Sequence, residues 1–272
     1  MPRVRADITI GTDWKGDDAA MKWVQKLAPV AFILFLLALW QWGVSRQEFH
    51  MLPTPFQVLG GLKELAERGL LLKYIVASLF RVTWGYTAAA LLGVPLGLAI
   101  GWYRRSEMAF NPLIQIFRPI SPLAWIPISI LWFGVGDGAA IFLIFLASFL
   151  PLVVTGINAV AGIPPVFINA GRNFGLSNAA LVYRVLYPAV IPQLIVGMRI
   201  TLGVAWLVVV AAEMIAVNSG LGFLIVDARN AGNRYDLVVA GMVMIGLIGL
   251  LLDTGMRSFE GIRSLRWGYS ED

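Results

Sequence analysis

The sequence predicts an all-α polytopic membrane protein with six transmembrane helices. Hydrophobic residues make up 58% of the 272 and charged residues only 14%, against about 45–50% and about 25% in a soluble domain. Apolar runs of about 20 residues recur along the chain, each long enough to cross a hydrocarbon core of roughly 30 Å. Most of the 21 Lys and Arg residues fall between those runs, as loop charges do under the positive-inside rule. Together these features exclude a disordered chain, a disulfide scaffold and an ordinary cytosolic enzyme.

The charge balance is +5, but its placement between apolar runs speaks for cytoplasmic loop charge and against a nucleic-acid partner. No cysteine is present and His50 is the only histidine. Thiolate or imidazole metal sites and a His-dependent triad therefore lack ligands, and no catalytic or metal-binding residue is assigned.

Residues 1–27 form a cytoplasmic N-terminal segment in which Arg3, Arg5, Lys15, Lys22 and Lys26 mix with four aspartates. The first span, about 28–44, is read as an uncleaved helix, because Ser45-Arg46-Gln47-Glu48 follows it where a signal peptide has a small-residue cleavage site. Five further spans are expected at about 77–103, 112–134, 138–162, 189–216 and 236–256, closing a membrane domain over 28–256, with a cytoplasmic tail at 257–272. With the N-terminus inside, the inner segments hold twelve of the 21 basic residues and the outer ones six, which favours both termini in the cytoplasm.

Between the first two spans, Thr54-Pro55 caps and starts a helix that Gly69 ends. Leu59, Leu62, Leu65 and Ala66 share one of its faces. Such a helix lies on the outer membrane surface or packs on the top of the bundle. Span 2 carries Gly85, Ala89, Gly93, Gly97 and Gly101, a ladder of small residues that lets another backbone approach closely, whether that of another span or of another subunit.

Span 3 contains Pro112, Pro119, Pro122 and Pro127, too many for a straight helix, since each removes a donor and crowds the preceding turn. Irregular backbone at membrane depth belongs where protein or a water-filled path surrounds it. Arg118 and Trp125 in this stretch are therefore candidate pathway residues, the alternative being a kink shaped only for packing. In span 5, Arg199, Gly203, Trp206, Val210 and Glu213 recur on one stripe. Arg199 and Glu213 share a face but are about 21 Å apart along the axis. An ionisable residue within a span is a functional candidate by default. Arg199 either attracts an anion or bonds a neighbouring helix, and Glu213 is either a structural acceptor or part of an outer gate. Asp253 is expected at the polar inner interface.

The longest inner connection begins at Pro164-Pro165, breaks at Gly175, restarts at Ser177 and reaches span 5 through Tyr187-Pro188. Two short amphipathic helices punctuated in this way make a docking element over 164–187. Asn169-Ala170-Gly171, Gly175, Val185, Tyr187 and Pro188 resemble the cytoplasmic EAA loop of ABC importer permeases. Here Asn169 stands for the usual Glu, Gly171 for the second Ala, Val185 for Ile and Tyr187 for Leu, so position 169 carries no carboxylate. The resemblance covers most of the chain. Leu52-Pro53-Thr54-Pro55, Ser78-Leu79-Phe80-Arg81-Val82, Pro122-Leu123-Ala124-Trp125-Ile126-Pro127, Trp132-Phe133-Gly134-Val135-Gly136-Asp137 and Ala212-Glu213-Met214 look like the nitrate/sulfonate/taurine/bicarbonate permeases.

The resemblance implies a type I ABC importer transmembrane domain that carries a small anion and works as a homodimer. Its implied partners are a second permease copy, cytoplasmic ABC ATPase subunits, a periplasmic or lipid-anchored substrate-binding protein and membrane lipid. Asn169, Ala170, Gly171, Arg172, Gly175 and Pro188 would couple to the ATPase. Arg118, Trp125, Arg199, Trp206 and Glu213 would line the pathway. No Gly-x-x-x-x-Gly-Lys-Ser/Thr sequence occurs, so ATP and Mg are expected on the partner subunits, with no cofactor in this chain. The competing reading is a self-contained secondary transporter or channel, which calls for deep acidic coupling residues and an inverted repeat. An intramembrane enzyme lacks the groups to do chemistry.

Overall fold

A computed structural model describes residues 17–46 and 52–260. Most of the N-terminal tail, His50 and the tail from residue 261 onward lie outside the described residues. Among those described, the regular structure is all helical. The chain divides into two units, Met1–Gln57 and Val58–Asp272.

The first unit holds α1 (Asp17–Ser45), whose stretch Leu27–Ser45 is long and apolar enough to cross a membrane. It also holds the start of α2 (Pro55–Glu67). Thr54 Oγ1 accepts from the Gln57 N–H at 3.3 Å and Gln57 Oε1 accepts from the Thr54 N–H at 2.8 Å. That reciprocal capping box, with Pro55 at the first helical position, fixes where α2 starts.

In the second unit, α3 (Leu70–Trp102), α6 (Asp137–Ala161), α9 (Tyr187–Ala216) and α11 (Tyr235–Glu260) form the bundle. The small-residue ladder of α3 meets α6 of the same chain. A Cβ at Gly85 would stand 2.8 Å from the Ile141 carbonyl oxygen, one at Gly93 3.0 Å from that of Phe149, and one at Gly101 3.0 Å from the Cα of Ile157. At the centre, Gly97 lies against the Val153 backbone, and a Cβ at Gly156 would fall 2.9 Å from the Cα of Gly97. This close approach replaces the hydrophobic drive that lipid-facing helices lack. The ladder is used within the chain, so it says nothing for a subunit contact.

The expected third span, 112–134, is corrected by the structure. A helix already begins after Tyr103, so Arg104 and Arg105 open α4 (Arg104–Phe117) instead of forming a loop. Pro112 sits inside α4 without ending it. The break comes at Arg118–Ser121, followed by a 3₁₀ turn at Pro122–Trp125 and then α5 (Ile126–Phe133). Ser121 Oγ caps that turn by accepting from the Leu123 N–H at 3.3 Å. The two halves are bent by 78°. Counted as one broken span, they make a sixth beside five continuous ones among the described residues.

The segment 164–187, expected from the sequence to dock a partner, consists of α7 (Pro165–Asn173) and α8 (Asn178–Leu181) and leads into a π turn. The chain does not turn at Tyr187-Pro188, as expected from the sequence. Instead α8 passes through a π turn at Val182–Leu186 into α9, one helical run of 39 residues. The Tyr187 N–H bonds the Val182 carbonyl, five residues back. Pro188 has no N–H, and its ring would crowd the carbonyl four residues back. The wider π register lets the helix continue past it.

A further helix not anticipated from the sequence, α10 (Leu221–Asn230), buries Leu221, Leu224 and Ala228. On α2 the buried face is Val58, Gly61 and Leu65, while Leu59 and Ala66 are exposed. A Cβ at Gly61 would sit 3.2 Å from the Asp236 carbonyl oxygen. Arg234 binds Glu64 at 2.6 Å and Asp236 at 2.8 Å. The helix therefore packs on the start of α11. Arg234 holds the Glu64 carboxyl below its usual range, chiefly through this hydrogen bond.

Candidate translocation and coupling sites

The most densely bonded polar cluster among the described residues joins α3, α9, the start of α6 and the turn that opens α10. Glu213 is fully buried and Arg81 is 2% exposed, and their side chains pair at 2.7 Å. Glu213 also accepts from Ser78 Oγ at 2.8 Å and from the Gly222 N–H at 2.9 Å. Arg81 spends its remaining donors on Asp137 at 2.7 Å, the Ser219 carbonyl at 2.7 Å and Ser219 Oγ at 2.5 Å. Charges removed from water are tolerated when every donor and acceptor is met, as here. The Ser219-Gly220-Leu221-Gly222 turn is shaped around the carboxylate. Gly220 has φ +107° and a Cβ there would strike Glu213, while a Cβ at Gly222 would lie 2.8 Å from the Glu213 Cβ. Beside the knot, the Gly136 N–H donates to the Ala216 carbonyl at 2.9 Å. The structure thus places Glu213 in a structural knot. Arg81 and Asp137 were missed as its partners because they lie 132 and 76 positions away in sequence, and only their polarity within or beside a span marked them.

Arg199 meets the acid side chain expected at the inner interface. Its Nε lies 2.6 Å and its Nη2 3.2 Å from the Asp253 carboxylate on α11. Trp206 is buried and donates through Nε1 to the Ile245 carbonyl at 3.0 Å. These two members of the span-5 stripe therefore join α9 to α11. Trp125 packs half-buried on a core of Ile126, Leu143, Val208 and Ala212.

Arg118 stands apart from the other expected pathway residues. It ends α4 at the break, is exposed, and borders two cavities. The first, of about 730 Å³, is lined on α4 by Glu107, Asn111, Gln115 and Arg118 and on α6 by Asn158. Positions 107, 111, 115 and 118 follow the helical repeat, so α4 presents one polar stripe. Gln115 Nε2 donates to Asn111 Oδ1 along it at 3.1 Å. The second cavity, of about 380 Å³, is lined by apolar side chains of α6 and α9 with Phe117 and Ile120. Its Thr155 and Thr201 hydroxyls are already bonded to the Pro151 and Gly197 carbonyls. Among the described residues, Arg118 is the only charged one lining it.

In the docking element, α7 ends in a Schellman motif. Gly175, at φ +75°, donates to the Arg172 carbonyl at 2.9 Å, and Leu176 donates to that of Gly171 at 3.1 Å. Ser177 Oγ then caps α8 by accepting from the Ala180 N–H at 3.3 Å. Gly171 is buried, and a Cβ there would stand 2.5 Å from Leu181 Cδ2. That contact accounts for the glycine where the resembling loop has alanine. Asn169 and Arg172 are exposed, Ala170 and Pro188 half-buried. Phe174 and Tyr183 are 86% and 76% exposed. Large aromatics left this exposed on a docking candidate are the ingredients of a protein contact.

A helical membrane bundle with a broken span and a projecting helix pair is the make-up of a transport permease. Residues 93–261 match the family model for the binding-protein-dependent transport system inner membrane component, and the chain belongs to this family of ABC importer permeases. It is 35% identical over 241 residues to the taurine transport system permease protein TauC of Escherichia coli, covering 85% of this chain and 86% of that protein. It is 34% identical over 246 residues to the nitrate import permease protein NrtB of Synechocystis, covering 87% and 88%. Among solved structures, the fold is similar to that of the MetNI methionine ABC transporter in an inward-facing conformation. That likeness has a TM-score of 0.63 at 20% identity and covers 70% of this chain and 94% of the other.

Proposed function

We propose that the chain is the permease subunit of an ATP-driven importer for a small anion and works as a homodimer in a bacterial inner membrane. Both termini face the cytoplasm, an external binding protein delivers the substrate, and ATP and Mg are held by separate ATPase subunits. The anion passes Arg118, which borders both cavities. The relatives named for taurine and nitrate transport support an anionic substrate.

Coupling runs through residues 164–187, with Asn169, Ala170, Gly171, Arg172 and Gly175 shaping the docking face and Pro188 the entry into α9. The single observation carrying this reading is the Schellman reversal at Gly175, which ends α7 beside exposed Arg172 and Phe174. A Cβ-bearing residue resists φ +75°, so Gly175→Val should distort the reversal without touching the bundle. ATP hydrolysis should then proceed without uptake in the reconstituted complex, while the purified permease keeps its helicity. A variant that couples and assembles like the parent would refute the docking role.

A further inference from the structure

We infer that the end of α3 and the π turn form a binding site for an anionic phospholipid of the inner leaflet. One acyl chain fills the cavity between them, and the phosphate sits at Arg104 and Arg105. The inference rests on the importer reading only for orientation, which puts this end of α3 at the cytoplasmic face.

The cavity, of about 290 Å³, shares no lining residue with the two beside Arg118. Val94, Leu98 and Trp102 line it from α3 at helical spacing, and Val182, Leu186 and Tyr187 from the π turn and the start of α9. Leu98 and Leu186 belong to a buried core with Ala159 and Val190, on which Val94, Trp102 and Val182 pack. The bundle therefore fixes the walls, and their side chains are carbon apart from the indole and phenol tips. Tyr103 and Tyr187 are exposed, so the space is open to its surroundings. On the flank of a span, hydrocarbon fills such a space in preference to water. Trp and Tyr rings settle where acyl chains meet headgroups, which sets Trp102 and Tyr103 at that depth.

The chain passes from Tyr103 straight into Arg104 and Arg105, which open α4. Both are exposed and, among the described residues, neither side chain enters an ion pair or hydrogen bond. Glu107, the acid of the same turn, lines the polar cavity with Asn158 and pairs with neither. Guanidiniums with free donors bind phosphate oxygens strongly. A free phosphate would use the arginines and leave the cavity empty. A zwitterionic lipid would fill the cavity, but its own ammonium weakens the pairing. An anionic phospholipid uses both features.

The chain has no cysteine, so one engineered Cys can be labelled and the parent chain gives the background from the ATPase subunits. The permease–ATPase complex carrying bimane-labelled Tyr103→Cys is placed in phosphatidylcholine nanodiscs. Phosphatidylglycerol or phosphatidylcholine with brominated acyl chains is then titrated in as a quencher. Half-quenching should need about fivefold less brominated phosphatidylglycerol than phosphatidylcholine, since each arginine near the headgroups favours an anionic lipid. At Leu91→Cys, an exposed position farther along α3, the two lipids should quench alike. Arg104→Gln with Arg105→Gln should remove the difference. So should Ala99→Trp, which fills the cavity that Ala99 lines and leaves both arginines in place. Tyr187→Cys reads the same cavity from its other wall if Tyr103→Cys does not assemble. Equal quenching by the two lipids at the cavity overturns the inference. A preference that survives Ala99→Trp does so too, since it would belong to a basic surface alone. A label that neither lipid quenches also overturns it, because protein would then cover the opening. The importer reading fails separately, if no ATPase co-purifies with the parent chain.

Discussion

Two arginines of this molecule sit in opposite circumstances. Arg81 is enclosed by Glu213, Asp137 and Ser219, each within 2.7 Å, whereas Arg118 stands exposed between two cavities. Both carry a guanidinium and both fall in or beside apolar segments. A guanidinium whose donors are all taken up by protein holds helices together and has nothing left for a solute. One that keeps its donors free is either costly or kept free for something that visits. The contrast teaches that charge in a span does not by itself identify a pathway; the partners do.

The comparison breaks most readily at Arg81. Arg81→Gln leaves Glu213 buried without its counter-ion, and losing one partner of a buried pair costs on the order of 3–5 kcal/mol. Little folded protein should survive extraction in mild detergent. Recovery of a monodisperse variant with parental thermal stability would show that the knot is not structural. Next in size is Gly97→Val, which puts a branched side chain against the backbone of Val153. Overpacking against backbone that cannot rotate away should reach the upper end of the usual range, about 3 kcal/mol. The readout is the α3–α6 separation measured between paired spin labels. An unchanged distance with unchanged stability would mean that the ladder tolerates bulk. Smallest is Arg199→Gln. The Arg199–Asp253 pair is partly exposed, and polar contacts between membrane helices average about 0.6 kcal/mol. A downward shift of a degree or two in unfolding temperature with uptake retained is expected. Abolished uptake in a stable Arg199→Gln protein would move this residue from helix pairing to the solute's route.

These differences also explain which features could be read from the residues alone. The α3 ladder is local and periodic, so its close-packing role was plain, and only its partner was open. The reversal at Gly175 was likewise written in a glycine followed by a capping serine. The pairing of Arg81 with Glu213 spans 132 positions, and no local periodicity encodes it. The start of α4 was missed for a different reason. A search for apolar windows passes over a helix whose polar stripe, Glu107 to Arg118, dilutes its hydropathy, although that stripe is itself a helical repeat. At Pro188 the expectation of a turn followed from the rule for prolines in α-helices, and the π register is the local exception that escapes it.

The uninterrupted run from Asn178 to Ala216 has a mechanical consequence. At 1.5 Å per residue its 39 residues span about 58 Å, so α8 and the Glu213 knot are the two ends of a single rod. Beyond Leu186 a displacement reaches Glu213 through helix backbone alone, with no intervening loop. The π turn at Val182–Leu186 is the one stretch of that rod whose hydrogen bonds already skip a residue, which makes it the compliant joint where a shift in register is absorbed or released.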